Sequence, residues 1–263
     1  MRGYIMVEKN KNLTASPYLV PALERGLKIL EMLSDYPGGL LMNEMKELDL
    51  PNASLYRMLV TLTELGYVVK DSSDRYRLGR KLLSVGYKAL DNSNLAETSA
   101  AFQRELRNMV NETVALGVIC GKEGVVVDTV RSEQAVCVYV QIGHHFPLHT
   151  AAPAKAILAF LPAAERSQLI DSIVFTKFNK NTITCKEAYL AELEKVRNSG
   201  TAFDLGEEIS DLRCVAAPIF DSRSYPVAAI WVTGPESRLN SKKLQSIGSQ
   251  VKETAGKISK YII

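Results

Sequence analysis

Between residues 40 and 80 an apolar segment, a three-residue break, a second apolar segment and a basic hairpin follow one another at a spacing that few folds can absorb. Leu41 to Leu48 predicts a helix, Asp49-Leu50-Pro51 a break, and Asn52 onward a second helix that stops at Gly66, a residue suited to the left-handed turn closing a helix. Tyr67-Val68-Val69 and Arg75-Tyr76-Arg77-Leu78 then flank the polar tip Asp71-Ser72-Ser73-Asp74, which reads as strand, turn and returning strand. Two helices and a hairpin in this order have the spacing of a winged helix-turn-helix.

The second helix has two faces. Leu55, Met58, Leu59, Leu62 and Leu65 recur at helical spacing and are expected to pack against the preceding helices. Asn52 is expected to cap the first turn through its side-chain oxygen. Asn52, Ala53, Ser54, Tyr56 and Arg57 are left outside at the N-terminal end, where short polar groups, a Tyr and an Arg can approach base edges and phosphates. The plainer alternative is a helical hairpin inside a larger core, with Arg57 a solvated charge. The wing argues for nucleic acid: Lys70, Arg75, Arg77, Arg80 and Lys81 stand against only Asp71 and Asp74, and such a surplus suits a duplex backbone. The whole chain has a net charge of only +3, but residues 1 to 90 hold 13 Lys and Arg against 10 Asp and Glu, so the excess lies in this part.

An apolar stripe at Leu19, Leu23, Leu27, Ile29, Leu30 and Leu33 predicts a helix over 19–34, ended by Pro37-Gly38-Gly39. After the wing, Arg80 to Leu90 reads as a linker helix interrupted by Asp91-Asn92-Ser93-Asn94. The domains expected are a winged helix-turn-helix over 18–80, a linker over 81–95 and a second domain over 96–263. In that domain a helix with Phe102, Leu106, Met109 and Val110 leads into β-branched runs at Thr113 to Cys120, Val125 to Val130 and Val136 to Ile142, an antiparallel meander. Helices are expected over 153–160 and 163–170, and another opening on the capping box Thr184-Cys185-Lys186-Glu187. A hairpin, Cys214 to Phe220 and Val227 to Val232 around Asp221 to Ser224, precedes a last helix carrying Leu244, Ile247, Val251, Ile258 and Ile262. Helices beside an antiparallel sheet make this an α+β fold, and no Gly-rich phosphate loop follows a strand.

At 263 residues with 46% apolar content the chain supports two packed cores. It holds no apolar run of membrane-spanning length, so a cytoplasmic protein without membrane contact is expected. Cys120, Cys137, Cys185 and Cys214 never form a C-x-x-C pair, which favours reduced thiols. His144, His145 and His149 cluster, but without metal-ligand spacing or a carboxylate among them; a polar loop entering a strand is the preferred reading, with no metal and no cofactor.

With these residues in view, the chain resembles the IclR family of bacterial transcription regulators over about residues 20 to 262. Ala22-Leu23-Glu24-Arg25-Gly26-Leu27-Lys28-Ile29-Leu30 is similar to the family's first helix, and Leu50-Pro51-Asn52-Ala53-Ser54-Leu55-Tyr56-Arg57-Met58-Leu59 to its recognition-helix entry. Leu65-Gly66-Tyr67-Val68 and Tyr76-Arg77-Leu78-Gly79 resemble its wing. Pro147-Leu148-His149 leading to Lys155-Ala156-Ile157-Leu158-Ala159, and Cys214-Val215-Ala216-Ala217-Pro218-Ile219, resemble its second-domain signatures.

The resemblance implies a GAF-like effector-binding domain, a homodimer or tetramer, and a pseudo-palindromic operator on double-stranded DNA. It assigns DNA contacts to Asn52, Ser54, Tyr56, Arg57, Lys70, Arg75 and Arg77; the family commonly has Lys where Asn52 stands, so one backbone contact is lacking. It assigns the effector site to Ala152, Pro153, Asp204, Cys214, Trp231 and Thr233, with Phe146 either lining the pocket or belonging to plain core. Pro153 has no N–H to donate and Trp231 replaces a small hydroxyl, which argues against a two- or three-carbon acid. Trp231 either offers a stacking face to a sugar-derived or aromatic effector or fills part of the cavity. Two other functions stay open: a DNA-binding oligomer whose second domain is a ligand-free assembly unit, and an enzyme using Cys214 as nucleophile or Asp204 with Glu207-Glu208 as acid and base. A DNA-binding half that an enzyme does not need disfavours catalysis.

Overall fold

A computed structural model describes residues 18–89 and 95–262. The polar arm before residue 18, Leu90 and the expected break at Asp91 to Asn94 lie outside the described residues. The chain divides into two compact units, 1–91 and 92–263.

The first unit opens with α1 (Pro21–Ser34), started by Pro21 at its first position, where a missing N–H costs nothing. Ile29 and Leu33 are buried, whereas Leu19, Leu23 and Leu27 face solvent, so the apolar stripe splits and only part of it is core. α2 (Asn52–Glu64) buries Leu55 and Leu59 against α1. Leu65, expected in the core, is exposed because the helix has ended and Gly66, at φ +78°, turns the chain away. The wing is β1 (Val68–Lys70) and β2 (Tyr76–Leu78), paired antiparallel with Val68 opposite Leu78. Leu40 adds an isolated antiparallel bridge to β2, exchanging both backbone hydrogen bonds with Tyr76 at 3.0 and 2.7 Å. α3 (Lys81–Ala89) follows.

Two further local expectations fail here. Residues 41–48 form two single 3-10 turns, Met42–Glu44 and Lys46–Leu48, instead of a helix. The segment is too short to repay helix nucleation; Glu44 closes the first turn by accepting from the Leu41 N–H at 2.8 Å, and Asp49 adopts a left-handed φ of 47°. Asn52 does not cap α2. Pro51, extended at ψ 134°, holds the cap position and Asn52 is already helical.

The second unit is a six-stranded antiparallel sheet of order β5-β4-β3-β8-β7-β6. Its strands are β3 (Thr113–Cys120), β4 (Glu123–Val130), β5 (His145–Phe146), β6 (Ala202–Asp204), β7 (Leu212–Phe220) and β8 (Pro226–Pro235). The helices are α4 (Leu95–Val110), α5 (Ala152–Leu158), α6 (Ala163–Asp171), α7 (Lys186–Ser199) and α8 (Ser241–Ser259). Strand alternation makes two cores. Leu116, Val215, Ala217, Ile230 and Val232 share one cluster with Leu106 of α4 and Val251 of α8, while Ala115, Cys214, Ala216 and Trp231 join α5 and α7 residues in the other. Asn240 caps α8, accepting from the Lys243 N–H at 3.1 Å.

Three expectations are corrected in this unit. Val136 to Ile142 is not a strand; Val136 and Ile142 are 73% and 55% exposed, and the edge of β4 is taken by His145 and Phe146. With no flanking strand for its backbone, a β-branched run does not make a sheet. α7 starts one residue later than the capping box implies, with Cys185 as an N-cap that makes no side-chain bond. Met109 is exposed on α4. β6, too short to show a period, was not expected.

Candidate nucleic-acid interface and effector site

At the N-terminal end of α2, Asn52 and Arg57 are exposed, Ser54 is half-buried and Tyr56 is 54% exposed. Leu55 and Leu59 hold the opposite face in the core, which aims this group outward. The Arg57 guanidinium makes no bond among the described residues.

The wing cations are occupied to different degrees. Lys70 pairs with Asp74 and Arg77 with Asp71, each at 2.7 Å and with the basic partner exposed. The tip itself holds the Asp71 carboxylate, which accepts from the Arg75 and Ser73 backbone N–H groups and lies below the usual carboxylate range because of them. Asp74 correspondingly raises Lys70. Arg75 differs: its Nη1 donates to the Gly39 carbonyl at 2.9 Å and reaches Glu44 at 3.1 Å. It ties the wing to the turn before it and is not presented as the others are. Lys81 is likewise engaged, donating to the Leu65 carbonyl at 2.9 Å at the end of α2 and lying 4.7 Å from the Tyr67 ring centre.

In the second unit the predicted effector residues converge on the sheet face beneath α5. Thr233 stands opposite Cys214 and Trp231 opposite Ala216 in the β7–β8 pairing, and Asp204 stands opposite Cys214 on β6. The Cys214 thiol donates to the Thr233 hydroxyl at 3.3 Å. Trp231 and Phe146 meet edge to face, ring centres 5.7 Å apart. Glycine makes room for them: a Cβ on Gly124 would lie within 1.8 Å of the Phe146 ring, and one on Gly117 within 3.0 Å of Trp231. Ala152 and Pro153 sit buried in the first turn of α5.

Beside this aromatic wall is a buried charged group. Lys155 on α5 donates to the Phe203 carbonyl at 3.1 Å and contacts the Glu207 carboxylate. Asp204 accepts from the Gly206 and Glu207 N–H groups at 3.0 and 2.8 Å. Burial pushes Glu207 up to about 7 despite the neighbouring ammonium, and raises Asp204 and Glu208 as well. Burial also drives the Cys214 thiol far up, reinforced by the Asp204 charge, which keeps it neutral. The histidines diverge: His149 is buried with Nε2 3.0 Å from the Thr176 carbonyl, its pKa lowered by burial, while His145 pairs with Glu123 at 2.8 Å. Among the described residues no group of three or more His, Cys, Asp and Glu could hold a metal ion.

The family model described as the bacterial transcriptional regulator IclR C-terminal domain matches residues 87–260, and the IclR helix-turn-helix domain matches 22–72. The chain belongs to the IclR family. Its members are DNA-binding transcriptional regulators. Among its relatives, XynR of Escherichia coli is 28% identical over 93% of this chain and 98% of that protein, and the repressor AllR of Klebsiella pneumoniae 32% identical over 90% and 88%. The IclR structure from Thermotoga maritima superposes with a TM-score of 0.70 at 30% identity, covering 91% of this chain and 98% of that one. An IclR homologue from Microbacterium hydrocarbonoxydans, solved with 4-hydroxybenzoate, shares the fold at a TM-score of 0.78 and 19% identity over 92% and 98% of the two chains.

Within this IclR fold, sequence reasoning missed Lys155 and Glu207 as a buried pair and Gly117 and Gly124 as the bed of the aromatic wall. Lys155 had a signal. It is the one cation in Ala152-Pro153-Ala154-Lys155-Ala156-Ile157-Leu158, and a lone charge in an apolar run implies a buried partner. The glycines had none, because only the fold brings Phe146 over β4.

Proposed function

We propose that this regulator binds a pseudo-palindromic operator as a homodimer or a tetramer, and that a small molecule on the α5 face of the second unit sets its affinity. The observation that carries the reading is the outward Tyr56–Arg57 pair at the start of α2, beside Lys70 and Arg77 on an exposed wing. Asn52 and Ser54 complete the groove-facing set, and Arg75 acts by holding the wing. Leu19, Leu23 and Leu27, exposed near and on α1, support a second copy as the partner. A cytoplasmic location follows from DNA as target; no helix among the described residues is long and apolar enough to cross a membrane.

Phe146, Trp231, Thr233, Cys214, Asp204, Ala152 and Pro153 form the effector site in this reading, with an aromatic or sugar-derived molecule stacking on Trp231. The aromatic wall and the Cys214–Thr233 pair favour it, and the ligand acts by preferring one spacing of the two winged helices. Trp231, only 4% exposed, favours a second reading in which the ring fills the site and the unit serves assembly alone. The neutral, buried Cys214 thiol disfavours an enzyme.

The test begins with selection of bound duplexes from a random pool by the full chain. Arg57→Ala lowers affinity for the selected duplex and reduces its salt slope by about 1; unchanged affinity and slope reject the interface. Thermal-shift screening against sugars, sugar acids and aromatic acids, repeated with Trp231→Ser, then separates sensor from assembly unit. A stabilising ligand that also moves duplex affinity supports the sensor. Intact duplex binding with no such ligand supports the second reading.

A further inference from the structure

A cavity of about 300 Å³, none of whose lining residues belongs to the site on the α5 face, opens among Phe160, Pro218, Phe220, Arg197, Lys252 and Gly256. It lies where the sheet runs out. β6 pairs with β7 only from Cys214 to Ala216, so residues 217–220 have no strand on that side.

An open edge ordinarily invites another strand. Here residues two apart direct their backbone groups to the same edge, and both successive donors are missing. Pro218 has no N–H, and the Phe220 N–H already donates to the Ser259 hydroxyl at 2.9 Å. The edge therefore offers a peptide strand neither of these two donors, which favours a small molecule over a strand as its ligand.

The chemistry of the lining narrows it further. Phe160 and Phe220 meet edge to face with ring centres 5.3 Å apart. Lys252 donates to the Ser199 carbonyl at 2.6 Å, which leaves two of its three protons free. Arg197, exposed in the last turn of α7, makes no bond among the described residues. Basic residues commonly sit at helix C-termini to offset the dipole, and Lys252 does so; that role needs neither the apolar floor nor the unbonded guanidinium. On the α8 side, a Cβ placed on Gly256 meets nothing within 4 Å, so the cavity is not filled from there. Its volume is at the lower end of small-molecule sites.

We propose that this cavity is a second ligand site, taking a small carboxylate with an aromatic body. The ring packs on Phe160 and Phe220, and the carboxylate is held by Arg197 and Lys252 through charge-assisted hydrogen bonds.

Calorimetric titration of the full chain with 2-naphthoate, and with the uncharged 2-naphthalenemethanol, tests it. Naphthoate binds and the alcohol binds at least about tenfold more weakly, the loss expected for hydrogen bonds to charged groups. Arg197→Gln, at an exposed position, reduces naphthoate affinity by a similar factor, and Gly256→Phe blocks the cavity. Absence of naphthoate binding, equal affinity for the alcohol, or undiminished binding by Arg197→Gln each overturns the site. Should Gly256→Phe fail to fold, Arg197→Gln decides alone.

Discussion

The Lys155 ammonium and the Glu207 carboxylate meet where neither reaches water, the two residues being 0% and 6% exposed. Glu207 Oε2 has no hydrogen-bond partner among the described residues, so the attraction of Lys155 is the main compensation for burying that charge. The pair joins α5 to the loop after β6 and so frames the candidate effector site.

Removing one partner is therefore costly. Lys155→Met destabilises the protein by about 1–3 kcal/mol, the cost of leaving a buried polar group unpaired, because Glu207, already near 7, takes up a proton instead of staying charged, and the double variant Lys155→Met with Glu207→Leu recovers most of it. Denaturant unfolding followed by the fluorescence of the single tryptophan measures both. A single-variant loss below about 1 kcal/mol, the level of a surface pair, would show that the pair is not what holds this loop.

Glu207 also sets a pH dependence. Its carboxyl rises from 4.5 to about 7 on folding, so the native state holds the proton more tightly than the unfolded chain. The associated stabilisation is fully present below 4.5, falls as pH rises, and is gone above about 7. The total is on the order of 3 kcal/mol. The difference in unfolding free energy between the wild type and Glu207→Gln should decline across that window; a flat difference contradicts the assignment.

At the wing, Asp74 competes with DNA for Lys70. Its backbone is left-handed at φ 62°, a conformation Asn accepts as readily as Asp, so Asp74→Asn removes the charge and keeps the turn. Duplex affinity at low salt increases several-fold, with the salt slope steeper by up to about 1. Unaltered binding across a salt titration would mean that Lys70 does not reach the backbone.

Thiol reactivity separates the cysteines. Cys120 and Cys185 are exposed, Cys137 is intermediate and Cys214 is buried. Under native conditions maleimide labelling read by mass spectrometry proceeds at Cys120 and Cys185, while Cys214 reacts only as the unit opens, because burial keeps its thiol neutral. Rapid native labelling of Cys214 would reopen the nucleophile reading.

The legibility of this chain follows local physics. The Leu55 and Leu59 spacing, the stop at Gly66 and the polar tip of the wing are all readable, because helix periodicity and turn chemistry act within a few residues. The 3-10 turns at 42–48 and the cap at Pro51 were misread because apolar pattern does not report backbone angles. The run at Val136 to Ile142 was misread for another reason. Its composition suits a strand, but β4 takes His145 and Phe146 as its neighbour, and strand pairing is a tertiary choice.

Residue order alone was enough to specify a winged helix-turn-helix followed by an α+β unit, and to place Tyr56 and Arg57 on the free side of a helix, because amphipathic periodicity is local. It could not reveal that Arg75 is spent on Gly39 and Glu44, that Lys155 is answered by Glu207, or that Gly117 and Gly124 make room for Trp231 and Phe146. Those partners lie tens of residues apart or more. Which charges are neutralised and which rings find space depend on distances through space, and only the packed chain creates them.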